Sequence, residues 1–116
     1  MKEYILLYKG VDPAWRTKST PAELQALTEK WGAWMGGLQQ TDRLVSGGSP
    51  LEYGGKAVAK GGAVVTDIAS SELKELVTGY SIVRARSQDD AIAIAKTCPI
   101  MLHPEAVLEV REVMKL

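Results

Sequence analysis

Residues 3–9, Glu3-Tyr4-Ile5-Leu6-Leu7-Tyr8-Lys9, place Tyr4, Leu6 and Tyr8 on one side of an extended chain and Ile5 and Leu7 on the other. Apolar groups on both sides mark a strand covered on both faces rather than one wetted by solvent. Something in the rest of the chain, or outside it, must therefore cover each face.

Downstream, Gly10, Asp12 and Pro13 predict a loop, which ends at Thr20-Pro21-Ala22-Glu23. Thr at the N-cap, Pro at the first helical position and Glu three residues after the cap form a capping box. Leu24, Leu27, Trp31, Trp34, Met35 and Leu38 then recur at spacings of three and four, one apolar stripe over about four turns. Gly36 and Gly37 weaken the last turn, and Arg43–Ser46 reads as a short strand. The glycine-rich segment 47–62 predicts a loop followed by a hairpin, Lys56–Ala59 against Ala63–Thr66, turning at Lys60-Gly61-Gly62. A phosphate-cradling loop needs a helix directly after its glycines, and neither Gly47-Gly48 nor Gly54-Gly55 has one.

Ser70–Leu76 fits one or two helical turns, after which Gly79 releases the chain into a strand over Tyr80–Arg86. Ser87 caps a second helix with Asp89 and Asp90 in its first turn, and Ala91, Ile94, Ala95 and Cys98 line its apolar side. Pro99 stops it, and Ala106–Val113 makes the last strand. The order is βαββαβ with an inserted hairpin, the split βαβ arrangement of an α+β ferredoxin-like fold. Such a sheet carries both helices on one face, so the apolar groups of the other predict burial against a second copy, a homodimer.

A chain of 116 residues, 46% hydrophobic and 24% charged, suits a single domain over 1–116 with one core. Lys plus Arg equals Asp plus Glu at 14 each, so no net positive field draws a phosphate backbone and nucleic acid is disfavoured as a partner. The one cysteine, Cys98, rules out an internal disulfide. No apolar run approaches the roughly 18 residues of a membrane span, and the first ten residues make too short an apolar stretch for a secretory signal. A cytoplasmic protein with no membrane partner is expected.

The strand MKEYILLYKG, the capped helix after Thr20-Pro21-Ala22-Glu23, the phrase VVTD before ELKELVTGYSIV, the helix AIAIAKTCP and the terminal LEVREVM occur in the order found in one family. On these segments the chain resembles the YCII-related, or DGPF domain, family over nearly its whole length. The resemblance implies a ferredoxin-like protomer that pairs into a dimeric α+β barrel. It implies a polar pocket near the sheet with an acid and often a histidine, suggestive of a small-molecule enzyme. Some members are fused to or neighbour sigma factors of the extracytoplasmic-function type, which suggests a regulatory role. Two departures stand out. The family's Asp-Gly-Pro-Phe motif is Asp67-Ile68-Ala69-Ser70 here, and Trp31 stands where many members have a histidine.

Asp67 reads either as a carboxylate partly desolvated at a pocket rim, fit for acid-base work, or as a cap for the turn that follows it. His103 is the one histidine, so an imidazole mechanism must use it; a loop-tethering role is the alternative. Glu109 and Arg111 alternate with Leu108 and Val110, so Arg111 faces away from the helices, either binding a ligand carboxylate or joining an interfacial ion pair. Trp15 and Trp31 either wall a ligand cleft or fill the core, and Tyr8 and Tyr80 offer hydroxyls to a substrate. No His, Cys or carboxylate cluster has metal-ligand spacing, so neither metal nor cofactor is expected. Two functions follow: binding of a small polar metabolite, with Asp67 and His103 handling protons, or a non-catalytic regulatory or interaction module.

Overall fold

The computed structural model describes residues 1–68 and 75–116. The helical turns expected over Ser70–Leu76 fall mostly outside them, as does the end of the Asp67–Ser70 motif. The elements are β1 (Lys2–Lys9), α1 (Trp15–Lys18), α2 (Pro21–Gln40), β2 (Leu44–Ser46), β3 (Lys56–Ala59), β4 (Val64–Asp67), β5 (Val77–Ala85), α3 (Gln88–Lys96) and β6 (Val107–Glu112). Four strands form an antiparallel sheet in the order β2-β5-β1-β6, and β3 and β4 form a separate hairpin. This is the ferredoxin-like α+β arrangement with an inserted hairpin.

β1 is central because both neighbours need it. Tyr4, Leu6 and Tyr8 register with Val83, Ser81 and Gly79 of β5, and Leu6 and Tyr8 with Val110 and Leu108 of β6. Tyr4, Leu6, Val83 and Ser81 are buried to within 1% of completely. They face the helix layer with Ala85, Ala91, Ala95, Cys98 and Ile100. Ser81 is the one polar residue in this core among the described residues, and its hydroxyl is satisfied. It accepts from the Tyr8 hydroxyl at 2.6 Å and donates to the Gly47 carbonyl at 2.9 Å. The alternate positions of β1 put Ile5 opposite Ile82 and Leu7 opposite Tyr80 on the outer face, where Arg111 and Glu109 of β6 flank them. The shortest principal extent is 18 Å, room for one sheet and one helix layer.

Local chemistry fixes the helix ends as expected. Thr20 Oγ1 accepts the Glu23 N–H at 3.1 Å, and Glu23 Oε1 accepts the Thr20 N–H at 2.9 Å, completing the capping box. The Ser87 hydroxyl accepts the Asp90 N–H at 3.1 Å. The Asp90 carboxylate then takes the Arg86 N–H and the Arg43 guanidinium, each at 2.9 Å, tying α3 to the entry of β2. The Arg86 N–H, with Arg43 in support, holds the Asp90 carboxyl below the usual carboxylate range.

Two elements differ from expectation. The loop after β1 contains the helical turn α1, because Asp12 accepts the Ala14 N–H at 2.9 Å through its side chain and the Trp15 N–H at 3.1 Å through its carbonyl. Gly79 does not release the chain into β5; the strand starts at Val77 and runs through it. A glycine suits the close approach there, since a Cβ would meet Tyr8 Cδ2 at 3.2 Å and the Ser49 carbonyl at 3.3 Å and push them by a few tenths of an ångström. The hairpin turns at Lys60–Gly62 as expected, with Gly61 at φ 65°. Among the described residues no helix is long and apolar enough to cross a membrane.

Candidate functional site

α2 spans 20 residues and buries none of them completely. Trp31, Trp34 and Leu38 pack against the core. Trp34 donates its indole N–H to Thr97 Oγ1 at 3.0 Å, holding α2 to the end of α3. The N-terminal half stands away from the sheet. Under it lies a cavity of about 590 Å³, within the size range of small-molecule sites.

Leu24, Leu27, Trp31 and Met35 of α2 form the roof, and Tyr8, Val11, Thr78 and Gly79 lie along the sheet side. The segment Gly47–Tyr53 makes one wall, and Trp15, Arg16, Ile100 and His103 make another. The first wall depends on Gly48, whose φ is +70° and whose absent Cβ would overlap the Tyr80 carbonyl oxygen. Its far end is pinned by Tyr53, whose hydroxyl donates to the Val11 carbonyl at 3.1 Å. Burial raises the Tyr53 phenol, and the nearby Asp12 charge adds to the rise.

His103 ends the short 3-10 turn Pro99–Leu102. Its ring meets Trp15 edge-on, centroids 5.2 Å apart. Burial lowers its pKa from the ordinary 6.5, so the imidazole is neutral at pH 7. It makes no side-chain hydrogen bond among the described residues, which leaves a donor and an acceptor nitrogen at the cavity wall. Tyr8 presents its ring to the cavity, edge-on to Trp31 at 5.6 Å, but its hydroxyl is spent on Ser81 and lies 3.7 Å from Cys98 Sγ. Burial drives the Tyr8 phenol far up and raises the Cys98 thiol, so both stay protonated.

The structure thus brings Tyr8, Trp15, Trp31 and His103 to one cavity, and Tyr80 borders it at Gly48 from an outer-face position of β5. It does not bring Asp67 or Arg111 there. Asp67 ends β4 on the hairpin, its side chain 80% exposed and ion-paired with Lys56. Arg111 is exposed on the outer face, opposite Ile5. Sequence reasoning missed Arg16, Thr28, Ser49, Glu52 and Tyr53, all of which line the cavity. Ser49, Glu52 and Tyr53 reach it through loop geometry, Thr28 lies on α2 between Leu24 and Trp31, and Asp12 before Ala14-Trp15-Arg16 was the one local signal that a turn would aim Arg16. Among the described residues no group of three or more His, Cys, Asp or Glu stands close enough to hold a metal ion.

The family model of the YCII-related domain matches residues 3–116. The chain belongs to the YCII-related family. No curated protein matches it. Its cavity is lined by an acid and a histidine, Glu52 and His103, but not by the acid of the family motif. The acid of the family motif, Asp67, is out on the hairpin, and Trp31, at the helix position where many members have histidine, is an apolar wall.

Proposed function

We propose that this YCII-related protein binds a small, largely apolar molecule in the cavity under the N-terminal half of α2. One observation carries the reading. The apolar stripe of α2, Leu24, Leu27, Trp31 and Met35, borders open space where a helix of this pattern normally meets a core. Burying apolar surface stabilises by roughly 25 cal/mol per Å², so a ligand filling this space gains what the sheet does not supply. The walls favour a more apolar ligand than the polar metabolite expected from sequence. An acid-base step in this cavity would fall to His103, with no carboxylate of the family motif beside it.

The second expected role, an interaction module, is supported by the outer face and the hairpin. Ile5, Leu7 and Ile82 lie on a face that no described element covers, bordered by Glu109, Arg111 and Arg84. A two-fold axis through that face would set Glu109 of each copy against cations of the other, and the apolar strip against itself. We propose a homodimer on this face, with the cavities on the opposite, helical side of each sheet.

Binding is tested by thermal shift against a panel of apolar and polar small molecules, run on the wild type and on Leu27→Trp, which fills the cavity from the roof. Compounds that raise the Tm of the wild type and leave Leu27→Trp unmoved support the site. Equal shifts in both proteins place binding elsewhere.

A further inference from the structure

Resting on the cavity reading above, we infer that the ligand is an organic monoanion: an apolar, ring-sized body under α2 with one carboxylate-like group at the Arg16 end. The polar groups of the lining are not spread evenly. Arg16, Tyr53 and His103 gather around Trp15. The Arg16 guanidinium carbon lies 5.6 Å from the Trp15 ring centroid, and His103 stands edge-on to that ring at 5.2 Å. Tyr53 lies in the same corner, its hydroxyl given to the Val11 carbonyl at 3.1 Å. Arg16 has no carboxylate within ion-pair distance among the described residues. The acid near this corner, Asp12, is engaged by the Ala14 N–H at 2.9 Å and by Lys18 at 3.6 Å.

A guanidinium that meets an indole by its face keeps its N–H edges free for a bidentate carboxylate. The neutral imidazole of His103 supplies one further donor to the same anion. Most of the remaining lining is apolar, with Leu24, Leu27, Met35, Leu51 and Ile100 beside the Trp31 ring, and Thr28, Ser49 and Thr78 among them. Glu52 also lines the cavity, so a second anionic group on the ligand would meet a like charge. A single anionic group, paired with Arg16, is the arrangement this lining favours. The ligand-anion role that the strand pattern offered to Arg111 passes to Arg16.

The test uses two fluorescent probes that share an anilinonaphthalene body. 8-Anilinonaphthalene-1-sulfonate carries one anionic group, and N-phenyl-1-naphthylamine carries none. Each is titrated into the wild type, Arg16→Gln, Arg16→Lys and Leu27→Trp at low ionic strength. Arg16→Gln is expected to weaken the sulfonate probe about tenfold and to leave the neutral probe within about twofold. Arg16→Lys, which keeps the charge without the fork, should retain part of the affinity. Leu27→Trp should lose both probes. Undiminished sulfonate binding in Arg16→Gln, with both probes lost in Leu27→Trp, overturns the anion preference and leaves the cavity standing. Both probes binding Leu27→Trp as they bind the wild type overturns the cavity itself.

Discussion

α3 lies on the sheet through Ala91 and Ala95, both buried, whereas α2 faces the same sheet with tryptophans, leucines and a methionine and buries none of its residues completely. Small side chains let a helix backbone close on the strands beneath it; large ones hold it off and leave gaps wherever they do not interlock. The α3 side is therefore where the fold is held, with Val83, Ala85 and Cys98 sealed beneath or beside the helix. The α2 side is where space is kept. Its C-terminal half is fastened by Trp34 to Thr97, and the capping box satisfies its first turn locally, so the N-terminal half keeps its helical form without packing onto the sheet. The binding site proposed there would cost the protein little stability, since packing is already incomplete.

That contrast can be broken by substitution. Leu6→Ala, beneath both helices and fully buried, should cost about 3 kcal/mol in urea unfolding. Ala91→Leu, which forces an isobutyl group into the closed side, should cost about 2 kcal/mol by overpacking. Leu27→Ala, on the roof of the open side, should cost under about 1 kcal/mol, because its side chain gives up few contacts. A loss at Leu27 as large as that at Leu6 would mean that the space under α2 is closed in solution. Thr20→Ala removes the cap of α2 and should cost about 1 kcal/mol while leaving α3 intact.

The smallest expected effect concerns His103. Its pKa is lower folded than unfolded, so between 6.5 and the lowered folded value the unfolded chain binds more protons. Stability should therefore fall as pH drops through 6.5 and level off once the folded imidazole is also charged. His103→Gln should flatten that part of the profile, measured as Tm between pH 7.5 and 5. A profile unchanged by the substitution would place the imidazole in water.

What the chain's order revealed was whatever depends on neighbours in sequence. The capping box at Thr20, the turn at Lys60–Gly62 and the Ser87 cap were legible because the groups that satisfy each other lie three or four residues apart. The two-sided apolar pattern of residues 4–8 was legible because strand periodicity assigns faces directly. Gly79 was misread because its reason is the Tyr8 ring on the next strand and the Ser49 carbonyl, contacts that span about 70 and 30 positions. The cavity was half legible. Trp15, Trp31, Tyr8, Tyr80 and His103 could be named as wall candidates, but Arg16 comes to it on the turn α1, and Glu52 and Tyr53 through a loop whose course depends on Gly48 under Tyr80 and on Tyr53 reaching Val11. Asp67 looked like part of a site because it follows an apolar run. In space that run, Val64–Thr66, is one strand of the separate hairpin, with Val65 60% exposed opposite Val58.

The central claim is that ligand enters under α2 rather than against the outer face of the sheet, and methyl-resolved NMR separates the two. With the methyl groups of Leu, Ile, Val and Met labelled, N-phenyl-1-naphthylamine should shift Leu24, Leu27, Met35, Val11 and Ile100 and leave Ile5 and Ile82 in place. Shifts at Ile5 and Ile82 with the α2 and Ile100 methyls unmoved would contradict the account.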